Sequence, residues 1–175
     1  FNRALHLAPD NPKAWANAAL GSLLENQIDR AIELAQKALQ LGGKDTAAPA
    51  VMVNSVAIQR KYKDLDDLIQ EDYLSNIDYV RALGNIFGQS RDFMRAEKYY
   101  RLCLAQAPSD FHSNLNLAHL IADSQLFTRN RLRFKSFGRD DKWNNAYCEA
   151  LKLVNTALDT AQQGDNEQYT WQALT

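Results

Sequence analysis

Glycine and proline are scarce in this chain, seven and four in 175 residues. A β-rich or low-complexity organisation needs turn residues at short intervals, so the shortage leaves long uninterrupted helices joined by short turns. Cysteine is scarcer still, with Cys103 and Cys148 alone. Two thiols on helix-patterned segments make neither a disulfide framework nor a CxxC zinc pattern, and both read as small apolar core residues. No run of about 18 apolar residues exists, so no segment of the sequence is a transmembrane helix. No basic–apolar–small leader opens the chain. Neither sign of charge dominates, the net being −1, whereas a general nucleic-acid binder carries a clear basic excess. GxSxG, HExxH and phosphate-cradling glycine loops are all missing, so no catalytic residue, metal site or cofactor is assigned. The acidic run Asp64, Asp66, Asp67, Glu71 and Asp72 reads as capping and solvation of a helix rather than as paired catalytic carboxylates.

What is present is a repeated pattern. Ala4, Leu5, Leu7, Pro9, Asp10, Asn11 and Trp15 are followed by Ala31, Ile32, Ala38, Leu39 and Leu41. The same order of small and large apolar residues returns as Leu83, Gly84, Phe87, Ala96, Tyr100, Cys103, Leu104 and Pro108. The offsets recur on a period near 34, that of a two-helix unit. On these residues the chain resembles the tetratricopeptide repeat family. The resemblance implies an all-α fold: a right-handed α-α superhelix, or TPR solenoid, of about four helix–turn–helix repeats plus a capping helix. One unit cannot bury its apolar face alone, so neighbours stack and leave a concave groove. In the family that groove usually binds another protein's peptide. The expected role is therefore a protein–protein interaction scaffold, not an enzyme.

The period divides the chain as a single repeat domain over 1–175. Residues 1–11 read as the end of a preceding repeat, and Phe1 is not an initiator Met, so the chain is expected to be cut from a longer protein. Residues 12–45 form a full repeat, with Trp15, Ala18, Ala19, Leu20, Ala31, Ala35 and Ala38 as its packing set and Gly42-Gly43 as its stop. Residues 46–76 form a degenerate repeat, with Leu68 where the family has alanine. Ala31 and Ala96 stand 65 residues apart, two periods less three, which places a short deletion in this middle repeat. Residues 77–109 form a regular repeat. Residues 110–163 form a repeat whose tight turn is replaced by a basic insertion at 124–141, and 164–175 open a next repeat or a cap.

Candidate binding residues follow from the resemblance, which places the first helix of each repeat along the groove. Asn17, Asn54 and Asn116 occupy the sixth repeat position. An amide offers an acceptor and two donors, so a row of them can pair with the backbone of any extended peptide. This is similar to the asparagine ladder in the superhelical domain of a glycosyltransferase of this family. Arg81, Asn85 and Asn116 follow the spacing with which chaperone-binding members hold a terminal carboxylate, a cation and two amides converging on one anion. The two further basic residues of such a clamp are not visible, since Tyr169 and Ala173 stand at the corresponding positions. His112, Asn116, His119 and Asp123 share one helical face and read as a polar groove stripe rather than as metal ligands.

The insertion interleaves Arg129, Arg131, Arg133 and Lys135 with Phe127, Phe134 and Phe137. Its aromatics are expected to pack on the fourth repeat and leave a basic patch in water. The partner is thus read as a protein or peptide, with an acidic or C-terminal carboxylate ligand as the sharper form. Alternatives are a substrate-presenting accessory region of a larger enzyme, such as a glycosyltransferase, and phosphate or nucleic-acid binding through the insertion.

Overall fold

In a computed structural model of the chain, residues 2–59, 66, 69–131 and 141–163 are described. They contain eight α-helices and no strand: α1 (Asn2–Leu7), α2 (Pro12–Leu24), α3 (Ile28–Gln40), α4 (Ala48–Ile58), α5 (Ile77–Gln89), α6 (Phe93–Gln106), α7 (Phe111–Arg131) and α8 (Asp141–Gln163), with one 3₁₀ turn at Glu71–Tyr73. The chain divides into two compact units, Phe1–Ile86 and Phe87–Thr175, with the boundary inside α5.

α2, α5 and α7 begin the same way. The Asn11 side chain accepts from the Lys13 N–H at 3.0 Å, with Pro12 in the first turn of α2. Asn76 Oδ1 accepts from the Tyr79 N–H at 3.1 Å ahead of α5, and Asp110 Oδ2 from the Ser113 N–H at 2.8 Å ahead of α7. Each oxygen satisfies a backbone donor that the helix itself leaves unpaired. The turns that close α2 and α5 match as well. Asn26 and Arg91 have φ of 59° and 62°. Around them Gln27 N–H reaches Ser22 O at 2.8 Å, and Asp92 N–H reaches Phe87 O at 2.9 Å, the six-to-one bond of a left-handed helix stop. α3 stops likewise at Gly42, φ 83°, with Gly43 N–H on Ala38 O at 2.9 Å.

In the first unit α2 packs on α3, and α4 on both. The core is built from Ala16, Ala19, Ala31, Ala35, Ala38 and Ala48 around Val51, so the backbones approach closely. Gly43 belongs to this constraint, because a Cβ there would lie 2.7 Å from Ala38 O and 2.9 Å from Pro12 Cβ. Leu20 departs from its expected place in the packing set and is 40 % exposed. Ala16 and Ala19 take the inner side of α2, which turns Leu20 outward with Asn17. Asn76 fastens the loop before α4, donating to Lys44 O at 3.0 Å and Thr46 O at 2.7 Å. Residues 60–65, 67 and 68, which hold Leu68 and part of the acidic run, lie outside the described residues.

In the second unit the Phe87 ring stacks on Tyr99 at 5.5 Å between centroids, and the Arg95 guanidinium lies 4.2 Å over the Phe87 ring. Ala96 is fully buried beside Gly88. α7 packs on α6 and, most extensively, on α8, with Phe111, Leu115, Ala157 and Ala161 as a buried cluster. The first residues of the insertion read at 124–141 continue α7, which stays helical to Arg131. Residues 124–131 contain neither glycine nor proline, so nothing local breaks the helix there.

Ala96→Leu overpacks a closed contact and is expected to cost about 1–3 kcal/mol, read as a lowered thermal midpoint by far-UV circular dichroism; an unchanged midpoint contradicts the crossing described. Arg91→Gly relieves a left-handed side-chain residue and is expected to add about 0.5–1 kcal/mol in urea unfolding, while Asn26→Gly gains little because asparagine tolerates that conformation.

Candidate functional site

The candidate residues fall into two sets, one in each unit. In the first, Lys13, Asn17, Leu20 and Leu24 lie at i, i+4, i+7 and i+11 on the outer face of α2. All four are exposed, Leu24 at 81 %. Asn54 is half-buried on α4, which packs against α2 and ends in Ile58, 51 % exposed. On α5, Arg81 and Asn85 are half-buried. The Arg81 guanidinium is ion-paired with the Asp78 carboxylate one turn earlier. Asn17, Asn54, Arg81 and Asn85 thus stand in one unit. Leu20 reads from the sequence as a packing residue, and Leu24 and Asp78 carry no binding signal of their own. The signal for all three is their helical spacing from Asn17 and Arg81.

In the second unit, His112 is half-buried with its ring edge-on to Phe111 at 5.2 Å, and His119 and Asp123 are exposed on the same face of α7. Asn116 is half-buried, and its side chain is hydrogen-bonded to the Tyr100 hydroxyl of α6. That bond ties α6 to α7, so Asn116 already has a structural duty. Tyr100 itself is 4 % exposed. Burial pushes its hydroxyl up to about 12, against a smaller downward pull from Asn116. Two further ionic contacts hold α6. Asp92, its N-cap, is held below the usual carboxylate range by the side chain and then the backbone N–H of Arg95. Arg101 bonds Glu149 of α8 at 2.8 Å and Glu97 at 2.8 Å, which raises its guanidinium further.

The basic patch is not placed. Arg133 and Lys135 lie outside the described residues, as do Phe134 and Phe137, and so do the side chains of Phe127, Arg129 and Arg131 at the end of α7. Among the described residues no group of three or more His, Cys, Asp or Glu could hold a metal ion, and no helix is long and apolar enough to cross a membrane. Cys103 is buried and Cys148 exposed, the latter against the expectation that both sit in the core, because Cys148 falls on the outer side of α8.

Tyr100 gives this region a titration signature. Its folded-state value lies above the ordinary 10, so its contribution to stability is complete below pH 10 and is lost as pH rises from 10 through 12. Tyr100→Phe is expected to remove that alkaline loss, measured as the pH dependence of the thermal midpoint between pH 9 and 12. Equal loss in both proteins would mean the hydroxyl is not buried.

No family profile and no curated protein matches the sequence. Solved structures do match, at low identity. YrrB, described as a TPR protein with an unusual peptide-binding site, superposes with a TM-score of 0.57 at 17 % identity, over 99 % of this chain and 88 % of that one. A monomeric mutant of IFIT1 with m7Gppp-AAAA gives 0.70 at 12 % identity, over 99 % of this chain but 43 % of IFIT1. Pseudomonas aeruginosa PilF gives 0.54 at 15 % identity, over 97 % and 76 %. With eight helices, no strand among the described residues and these neighbours, the chain has the fold of a tetratricopeptide-type helical-repeat superhelix.

Proposed function

We propose that this chain is a binding scaffold that holds an extended polypeptide segment along the outward faces of α2, α4 and α5. The observation that carries this reading is the α2 stripe. A helix with buried alanines on one side keeps Asn17, Leu20 and Leu24 in water on the other. Exposed apolar area rimmed by polar residues is the kind of surface that marks an interaction site. The amides of Asn17 and Asn54 supply donors and acceptors for a peptide backbone, and the leucines supply apolar area. YrrB, a neighbour in fold, is described as having a peptide-binding site, which is compatible with this use of the fold.

Asn116, spent on Tyr100, adds less to such a row than Asn17 or Asn54. His112 and His119 extend the polar character of α7 and would serve as a separate contact region of the second unit. IFIT1 was solved with a capped oligonucleotide. At 12 % identity that likeness speaks for the fold, and the net charge of −1 here gives no basic surface excess to support the same ligand. The absence of a catalytic constellation in the sequence fits a non-enzymatic role for these residues.

The test uses peptides selected from a random library on the purified chain. Each lost amide contact is worth about 0.5–1.5 kcal/mol, so Asn17→Ala/Asn54→Ala is expected to weaken all selected peptides by about fivefold to a hundredfold without loss of helicity. Selected peptides that bind the double variant as tightly as the wild type would remove the asparagine row from the mechanism.

A further inference from the structure

Charge is distributed unevenly over the first unit. α2 carries one charged residue, Lys13, at its first turn, and α4 carries none. α5 carries two, Asp78 and Arg81, and they are paired with each other. α3, by contrast, holds Asp29, Arg30, Glu33 and Lys37 within a similar length. The three helices proposed to receive a ligand therefore leave a single uncompensated charge, at one end, while Leu20, Leu24 and Ile58 stand 40 %, 81 % and 51 % exposed. Within the pair the order of exposure matters. The Asp78 side chain is 59 % exposed and that of Arg81 is 22 %. A carboxylate that pairs with Arg81 must compete with Asp78 and tolerate its charge.

We infer that Asp78 determines ligand specificity on this face: by occupying Arg81 it withholds the cation from any carboxylate, so the face accepts an uncharged segment with apolar side chains. The inference rests on the peptide-binding reading above and adds to it the class of peptide. Backbone amides of the ligand meet Asn17 and Asn54, its apolar side chains meet Leu20 and Leu24, and desolvating the interface then strands no ligand charge. An acidic ligand would gain only a shared cation, since an exposed ion pair is weak and here is already made.

Selection from random dodecamers, half with amidated and half with free C-termini, tests this on the full chain. For the wild type, the selected pool is expected to be poorer in Asp and Glu than the library, richer in apolar residues and indifferent to the C-terminal carboxylate. Asp78→Asn and Asp78→Ser, each checked for unchanged helicity, are expected to enrich acidic or free-carboxylate peptides by about threefold to tenfold, the scale of one ion pair plus one like-charge repulsion. The double variant Asp78→Asn/Arg81→Gln is expected to lose that enrichment. A wild-type pool already rich in acidic or free-carboxylate peptides overturns the specificity and leaves peptide binding intact, as does an Asp78→Asn pool identical to the wild type's. No enrichment by the wild type over an unrelated control protein overturns the peptide-binding reading itself.

Discussion

Where α3 lies against α2, methyl groups alone separate much of the two backbones. Ala31, Ala35 and Ala38 are fully buried against Ala16 and Ala19. This closeness constrains the rest of the unit. It leaves no space for a Cβ at Gly43, and it requires a turn short enough to keep the two helices in contact. The left-handed residue at 26 makes that turn, and the same geometry returns at 91. Arginine at the second site accepts a conformation that costs roughly 1–2 kcal/mol. Its neighbours hold it there: the Asp92 N–H is bonded to Phe87, and Asp92 caps α6 through the Arg95 N–H.

Amides and one indole then fix where α2, α5 and α7 start. Trp15 Nε1 donates to Pro9 O at 2.7 Å, and Asn114 Nδ2 to Pro108 O at 2.9 Å. These are the same bond made by different side chains at equivalent places in two repeats, each reaching back to the proline carbonyl of the preceding turn. Asn76 does more, capping α5 and holding the loop of Lys44 and Thr46. An amide that satisfies several backbone groups away from water is costly to replace, because each partner would be left unpaired. Polar residues in these positions therefore secure the helix starts while the alanines set the helix spacing.

The outward faces inherit their character from that arrangement. α2 packs mainly through alanine, with Trp15 and Leu23 laid against the same core, and Leu20 and Leu24 remain outside. The charges gather on α3 and α6, where Arg101 links Glu97 and Glu149 across to α8. The first unit's α2, α4 and α5 are left nearly neutral, which is the physical basis for proposing an apolar peptide rather than an anion on them.

Much of this was written in the chain. The 65-residue spacing of Ala31 and Ala96, the asparagine and aspartate ahead of α2, α5 and α7, and the scarcity of glycine and proline determine helices, turns and a repeat fold, because propensity, capping and apolar period are local properties. Leu20 could not be placed locally, since an apolar residue on a helix is inner or outer only once the partner helix is in position. The end of α7 follows from the sequence only through what is missing, since residues 124–131 hold no glycine or proline and the backbone continues as helix. The roles of Arg81 and Asn116 were decided by tertiary and side-chain geometry. In the structure Arg81 is paired with Asp78 and Asn116 with Tyr100, contacts that no local pattern announces, because a neighbour already within reach bonds a side chain without the entropy that a diffusing ligand must lose.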